Sequence, residues 1–157
     1  MRKRLITPTP EAIRTRGGGW LDVARAAVVE VTSEDENFPV ESAFGSEGTR
    51  GWRAAAPGNQ TIRLVFDQPQ RLRHISLVFE ENETQRTQEF VLQWSADSGF
   101  SFKEIVRQQW NFSQPESSRE VEEYRVELAN VTVLELIINP DISGGLARAS
   151  LKNLRVS

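Results

Sequence analysis

Few residues in this 157-residue chain have the types and spacing that chemistry uses. The run Glu80-Glu81-Asn82-Glu83 places carboxyls side by side, and paired carboxyls are what glycoside hydrolysis needs for its acid and its partner. Adjacent acids at the end of a strand also make a solvated tip, and that is the reading taken here. His74 is the sole histidine, in LRHISLVF, on the strand face opposite Ile75, Leu77 and Phe79 and beside Arg73. A general base needs an orienting partner and a cleft, so His74 reads as a surface or sheet-edge residue. One histidine excludes a multi-histidine metal site, and His74 is the only base a Ser-His-Asp triad could use. There is no cysteine, hence no disulfide, thiolate metal site or cysteine nucleophile. Gly17-Gly18-Gly19 lacks a preceding strand and a following Lys-Ser/Thr pair, so it is a linker and not a phosphate cradle.

The residue types that bind without reacting are better represented. A pyranose offers an apolar face, which an aromatic covers, and a ring of hydroxyls, which Arg, Asn or Glu can hold. Near strand ends the chain carries Trp52 and Arg53, then Glu81 and Arg86, then Trp110, Asn111 and Phe112, and finally Arg119. In an unbroken strand Trp110 shares a face with Val106 and Phe112, opposite Ile105. The corner RQQWNFSQP is then either a ligand platform or a plug at the end of a core. Both readings stay open, and the platform is carried forward with Arg86 and Arg119 as its polar partners.

The elements that must position these residues have a period of two. Ile62, Leu64 and Phe66 share one strand face, as do Ile75, Leu77 and Phe79; Phe90, Leu92 and Trp94; Tyr124, Val126 and Leu128; and Leu134, Leu136 and Ile138. Turn chemistry separates them at Asp67-Gln68-Pro69, Asp97-Ser98-Gly99, Asn139-Pro140-Asp141 and Gly144-Gly145. ARASLKNLRV reads as a final strand with a bulge near Lys152, because its apolar phase shifts between Leu151 and Leu154. A short helix fits the start of WLDVARAAVVEVTSED and a strand fits its end. Residues 1–19 form a polar lead-in, and 20–157 form one all-β domain of about eight antiparallel strands, a sandwich or barrel.

Composition narrows the function. Net charge is −3, which argues against a nucleic-acid binder that works by phosphate neutralisation. Arginine supplies 16 of the 19 basic residues, the type suited to planar carboxylate partners. MRKRLITPTPEAI begins with basic residues but has no apolar stretch behind them, so no secretory signal is read and a cytoplasmic location is expected. No segment approaches the ~18 uninterrupted apolar residues of a membrane span. The glycosylation patterns at Asn59, Asn82, Asn111 and Asn130 are then chance matches.

The order of the pieces resembles the discoidin, or F5/8 type C, family of the galactose-binding-like jelly rolls. The matching runs are TRGW (49–52), TIRLVFD (61–67), LRHISLVF (72–79), FVLQWSADSGFSFKEIV (90–106), LELIINPD (134–141) and ASLKNLRV (149–156). Together they span residues 28–156. WLDV, VEVTSED, GWRAA, RTQEF and IVRQQWNFS are similar to stretches of small bacterial proteins labelled carbohydrate-binding. WRAAAPGNQTIRLVF resembles the N-terminal domain of a eukaryotic single-strand-break repair scaffold, which contacts a polymerase and nicked DNA. The resemblance implies a jelly-roll β-sandwich and a non-catalytic module that binds a glycan through loops at one end. Its alternative is a protein-interaction module in a larger assembly. The family also carries a structural calcium in the loop before the Trp. Here its usual acids fall at Phe44 and at or near Asn153, leaving Ser46, Glu47 and Thr49 as oxygen donors, so neither metal nor cofactor is expected.

Overall fold

Alternating apolar and polar residues build this molecule strand by strand. A computed structural model of the chain describes residues 19–45 and 50–157, so most of the lead-in, with Gly17 and Gly18, lies outside the described residues. A one-turn helix, α1 (Val23–Ala26), runs directly into β1 (Ala27–Val31), as the sequence suggests. Seven further strands follow: β2 (Trp52–Pro57), β3 (Gln60–Glu80), β4 (Arg86–Ser95), β5 (Lys103–Phe112), β6 (Arg119–Asn139), β7 (Arg148–Leu151) and β8 (Asn153–Val156). All pairings are antiparallel, in the order β1-β3-β6-β4-β5, with β8 also on β3 and a separate β2-β7 pair. No helix among the described residues is long and apolar enough to cross a membrane.

Two 21-residue strands make this one chain of pairings into two layers. The first half of β3 lies between β1 and the second half of β6, which continues to β4 and β5. The second half of β3 lies between β8 and the first half of β6. Phe79 in that second half meets Phe90 of β4 with ring centroids 5.2 Å apart, so the layers face each other across a jelly-roll core.

The expected turn at Asp67-Gln68-Pro69 is corrected here. The chain does not reverse; it bends from one layer into the other. Val65 faces Val133, Gln70 faces Val131 and Leu72 faces Leu128, so the register slips through the exposed stretch. Pro69 has no N–H for a ladder and fits where the ladder is interrupted. β6 bends at the matching point, where Asn130 takes φ 59°. The strand count is as expected, but its partition differs: two pairs of expected strands are halves of β3 and β6.

The bulge expected near Lys152 is likewise a change of partner. Leu151 pairs with Trp52 on β2, Asn153 pairs with Val78 on β3, and the Lys152 N–H between them donates to the Val78 carbonyl at 2.8 Å. Gly51 is pressed against this switch point at φ +81°; a Cβ there would lie 2.7 Å from the Leu151 carbonyl oxygen. The Asp97-Ser98-Gly99 turn is present, with Ser98 at φ 63° and Gly99 at φ 93°. Asp97 closes it by accepting from Ser95 Oγ, Ser101 Oγ and the Ser101 N–H, and these bonds, the Ser101 hydroxyl first, hold its carboxyl down at about 2.

The parity read from sequence places the core. Ile62, Leu64, Phe66, Ile75, Leu77, Phe79, Phe90, Leu92, Leu134, Leu136 and Ile138 are all buried in one cluster. Each contributes about 1.5–3 kcal/mol relative to exposure. Trp94 is only half-buried; it packs against that cluster and carries the Lys103 ammonium 5.7 Å from its ring.

Candidate functional site

At one end of the sandwich Phe38 and Arg50, from the β1–β2 connection, meet the β3–β4 turn and the β7–β8 switch point. Between them lies a cleft of about 330 Å³. Phe38, Arg50 and Arg53 form one wall, Glu80, Glu81, Asn82 and Glu83 the other, with Trp52 and Lys152 also contributing. The guanidinium carbons of Arg50 and Arg53 stand 5.2 and 5.0 Å from the Phe38 ring centroid, a cation–π arrangement that holds both side chains in place. The Arg53 N–H donates to the Phe38 carbonyl at 3.1 Å and joins that wall to β2.

Two carboxylates of the opposite wall are already paired. Glu80 accepts from Arg119 Nη1 at 2.9 Å. Glu81 accepts from Arg86 Nε at 2.8 Å and from the Glu83 and Thr84 N–H groups at 3.1 and 3.2 Å. Burial works to raise the Glu81 carboxyl, but the Arg86 bond and the two backbone bonds together outweigh it and hold the group below the ordinary carboxylate range.

The residues singled out from sequence are thus divided. Trp52, Arg53 and Glu81 converge on the cleft, and Arg119 reaches its edge through Glu80. Trp52 is nevertheless only 1% exposed, a floor whose Nε1 donates to the Ser33 carbonyl at 2.9 Å. Asn111 lies on the outer face of β5, where its Oδ1 accepts from the Thr87 hydroxyl at 3.1 Å. Arg86 and Phe112 are corrected as surface ligand contacts. Phe112 is fully buried, and the Arg86 guanidinium lies over its ring at 4.8 Å, donating to Glu81, to the Pro140 carbonyl at 2.7 Å and to Gln88. The Trp110 platform is corrected with them. Trp110 faces inward beside Phe112, half-buried against the core, and its Nε1 is buried without a partner.

Sequence reasoning missed Phe38, Arg50 and Lys152. The available signal was the spacing Arg50-Gly51-Trp52-Arg53, which sets two guanidinium groups on either side of a buried tryptophan. It also missed the interior partners of Arg86. Gln88 and Glu120 are fully buried, and Gln88 Nε2 donates to Glu120 Oε1 at 3.3 Å.

The calcium position implied by resemblance can be tested on its residues. Asn153 Nδ2 donates to the Ala43 and Gly45 carbonyls at 3.2 and 3.0 Å, while its Oδ1 accepts from Arg155 Nε at 2.8 Å. The Arg155 bond fixes the amide orientation, so a donor points at the carbonyls a cation would use. These residues do not fit calcium; Ser46, Glu47 and Thr49 lie outside the described residues.

No family model matches the chain, and no curated protein matches it. Solved structures do. The family 32 carbohydrate-binding module of NanJ from C. perfringens, in complex with galactose, superposes with a TM-score of 0.64 at 13% identity, over 87% of this chain and 96% of that one. A family 32 module from Clostridium perfringens, in complex with GalNAc-β-1,3-galactose, gives 0.61 at 18% identity, over 87% and 98%. The family 32 module of AlyQ, in complex with 4,5-unsaturated mannuronic acid, gives 0.59 at 16% identity, over 84% and 95%. At such identities the likeness is one of fold: this chain has the jelly-roll β-sandwich fold of those modules.

Proposed function

We propose that this protein is a non-catalytic carbohydrate-binding module that takes a carboxylated sugar in the cleft between Phe38 and the Glu80–Glu83 turn. One observation carries this reading, the imbalance of paired charge across the cleft. Arg50, Arg53 and Lys152 line it and have no carboxylate partner among the described residues, whereas Glu80 and Glu81 opposite are each matched by an arginine. The cleft therefore offers a surplus of cations, two of them guanidinium groups whose forked donors match a carboxylate. Asn82 and Glu83 supply polar contacts for hydroxyls on the other side. Glu81 is held ionised by fixed donors and has no proton to give a leaving group, so it is not a general acid.

Titration calorimetry with galacturonate oligosaccharides beside neutral galactose oligosaccharides tests this. Binding of the acidic series is expected, weakening as salt is raised. Arg53→Ala removes a charge-assisted bond worth about 1.5–3 kcal/mol and should lower affinity about tenfold or more. Arg53 is exposed, so the fold should survive the change. Equal affinity for both series, or an unaltered Arg53→Ala, refutes the reading.

A further inference from the structure

β6 runs inside out over its first turn of alternation. Glu120, Glu122 and Tyr124 pair in register with Phe79, Leu77 and Ile75, so they share the face that points into the core. Val121, between them, is 49% exposed, while Glu120 is fully buried. Across the sandwich stand Arg86 and Gln88 of β4, beside Phe112 and Trp110 of β5. A line of contacts leads from the cleft into this interior: Glu81 to Arg86, Arg86 Nη1 to Gln88 Oε1 at 3.4 Å, and Gln88 Nε2 to Glu120 Oε1. Glu122 is the next residue on this face of β6. Two atoms along this line are buried without a partner, Arg86 Nη2 and Glu120 Oε2.

A fully buried carboxyl beside a second one on the same strand face resists ionising, so Glu120 keeps its proton. That leaves Arg86 with one carboxylate to pair, Glu81 in the cleft wall. Its free Nη2 edge is the group a Glu120 carboxylate would take if the proton left. We propose that Arg86 is a proton-switched positioning residue: while Glu120 keeps its proton Arg86 holds Glu81, and when the proton is lost it turns to Glu120 and releases the cleft wall.

The groups packed around Glu120 come from its own strand and its neighbours. β4 brings Arg86 and Gln88, the strand itself brings Glu122 and Tyr124, and the β3–β4 turn brings Glu81. β3 presents Phe79 and Leu77, and β5 presents Trp110 and Phe112, none of them charged. Burial, then Glu122, pushes the Glu120 carboxyl up to about 9, and burial with the same two carboxyls pushes the Tyr124 hydroxyl up. The Glu120 proton is therefore held at neutral pH and lost in alkali. A carboxyl raised in the folded state stabilises the fold fully below its ordinary value of 4.5, and that contribution is lost as pH rises toward about 9.

The test follows the Arg86 Nε–H resonance by NMR, and thermal melts, from about pH 6 to about pH 10. The resonance is expected to move with an alkaline midpoint, and the melting temperature to fall from about pH 6 up to that midpoint and to level off above it. Glu120→Gln cannot lose a proton and should abolish both changes. A resonance that stays fixed in the parent, or one that titrates unchanged in Glu120→Gln, overturns the switch. Should that variant not fold, Glu122→Gln, at a partly exposed position, removes the neighbouring charge and should move the midpoint down by about one pH unit; an unmoved midpoint is equally fatal. These readouts involve no glycan, so their failure leaves the proposed glycan site standing.

Discussion

Replacing Trp110 separates the two roles that its sequence leaves open. The side chain is half-buried against the core, inward beside Phe112. Trp→Ala at a full core position costs about 3–5 kcal/mol, so half burial sets the expected loss for Trp110→Ala near about 2 kcal/mol. In a domain of this size each kcal/mol lowers the melting temperature by about 2–4 °C, which predicts a drop of about 4–8 °C. Trp110→Phe should behave otherwise. It keeps most of the packed ring and deletes Nε1, a buried donor with no partner whose desolvation costs about 1–3 kcal/mol. Lost area and relieved desolvation then roughly cancel, and the variant should melt close to the parent. Differential scanning calorimetry of the three proteins decides the matter. If Trp110→Ala melts with the parent and loses glycan binding, the tryptophan is a platform after all. If Trp110→Phe falls as far as Trp110→Ala, the unpartnered N–H has been misjudged.

The end loops make two further predictions. Chelator should leave the melting temperature unchanged, since a bound native-state calcium would otherwise contribute about 2.7 kcal/mol at 100 times its dissociation constant. Asn153→Ala should instead lower stability by about 1–3 kcal/mol, because it strands the Ala43 and Gly45 carbonyls; an unaffected melt would show that the amide is no staple. Gly51→Ala should cost at least about 1–3 kcal/mol, because the new Cβ meets backbone at 2.7 Å in a left-handed conformation; a neutral result in a denaturant melt would mean that the β7–β8 switch point yields.

Most of the fold is legible in the sequence because a half-buried strand writes its burial as alternation. Ile62, Leu64 and Phe66 could face only one way, and they do. The failures fall where two tertiary outcomes share one local signature. Asp67-Gln68-Pro69 is polar, exposed and proline-bearing whether the chain reverses or bends between layers; only the pairing of Gln70 with Val131 tells them apart. Lys152 shows the same ambiguity. A phase shift of one residue marks a bulge on one partner or a transfer between two, and the transfer requires β2, whose WRAAAP gives almost no alternation.

The cleft and the interior acid pair were hidden for opposite reasons. Phe38 and Arg50 lie in the long connection 32–51, where no period tells which end of the sandwich it covers, and their meeting with Glu80–Glu83 is a purely long-range fact. Glu120 was hidden by a rule that normally works. In REVEEY the apolar Val121 looks like the inward residue and the glutamates look like solvent groups. The parity of Tyr124, Val126 and Leu128, extended two steps back, reverses this and brings Glu122 and Glu120 inside, as the pairing of Glu120 with Phe79 requires. Burying a carboxyl where a valine stood ready costs stability that an apolar residue would not. Local pattern and global fold conflict chiefly where something other than stability is served. That conflict, at the inner end of the arginine that reaches from the interior to Glu81, sets Glu120 apart from the better-formed ion pairs of the surface.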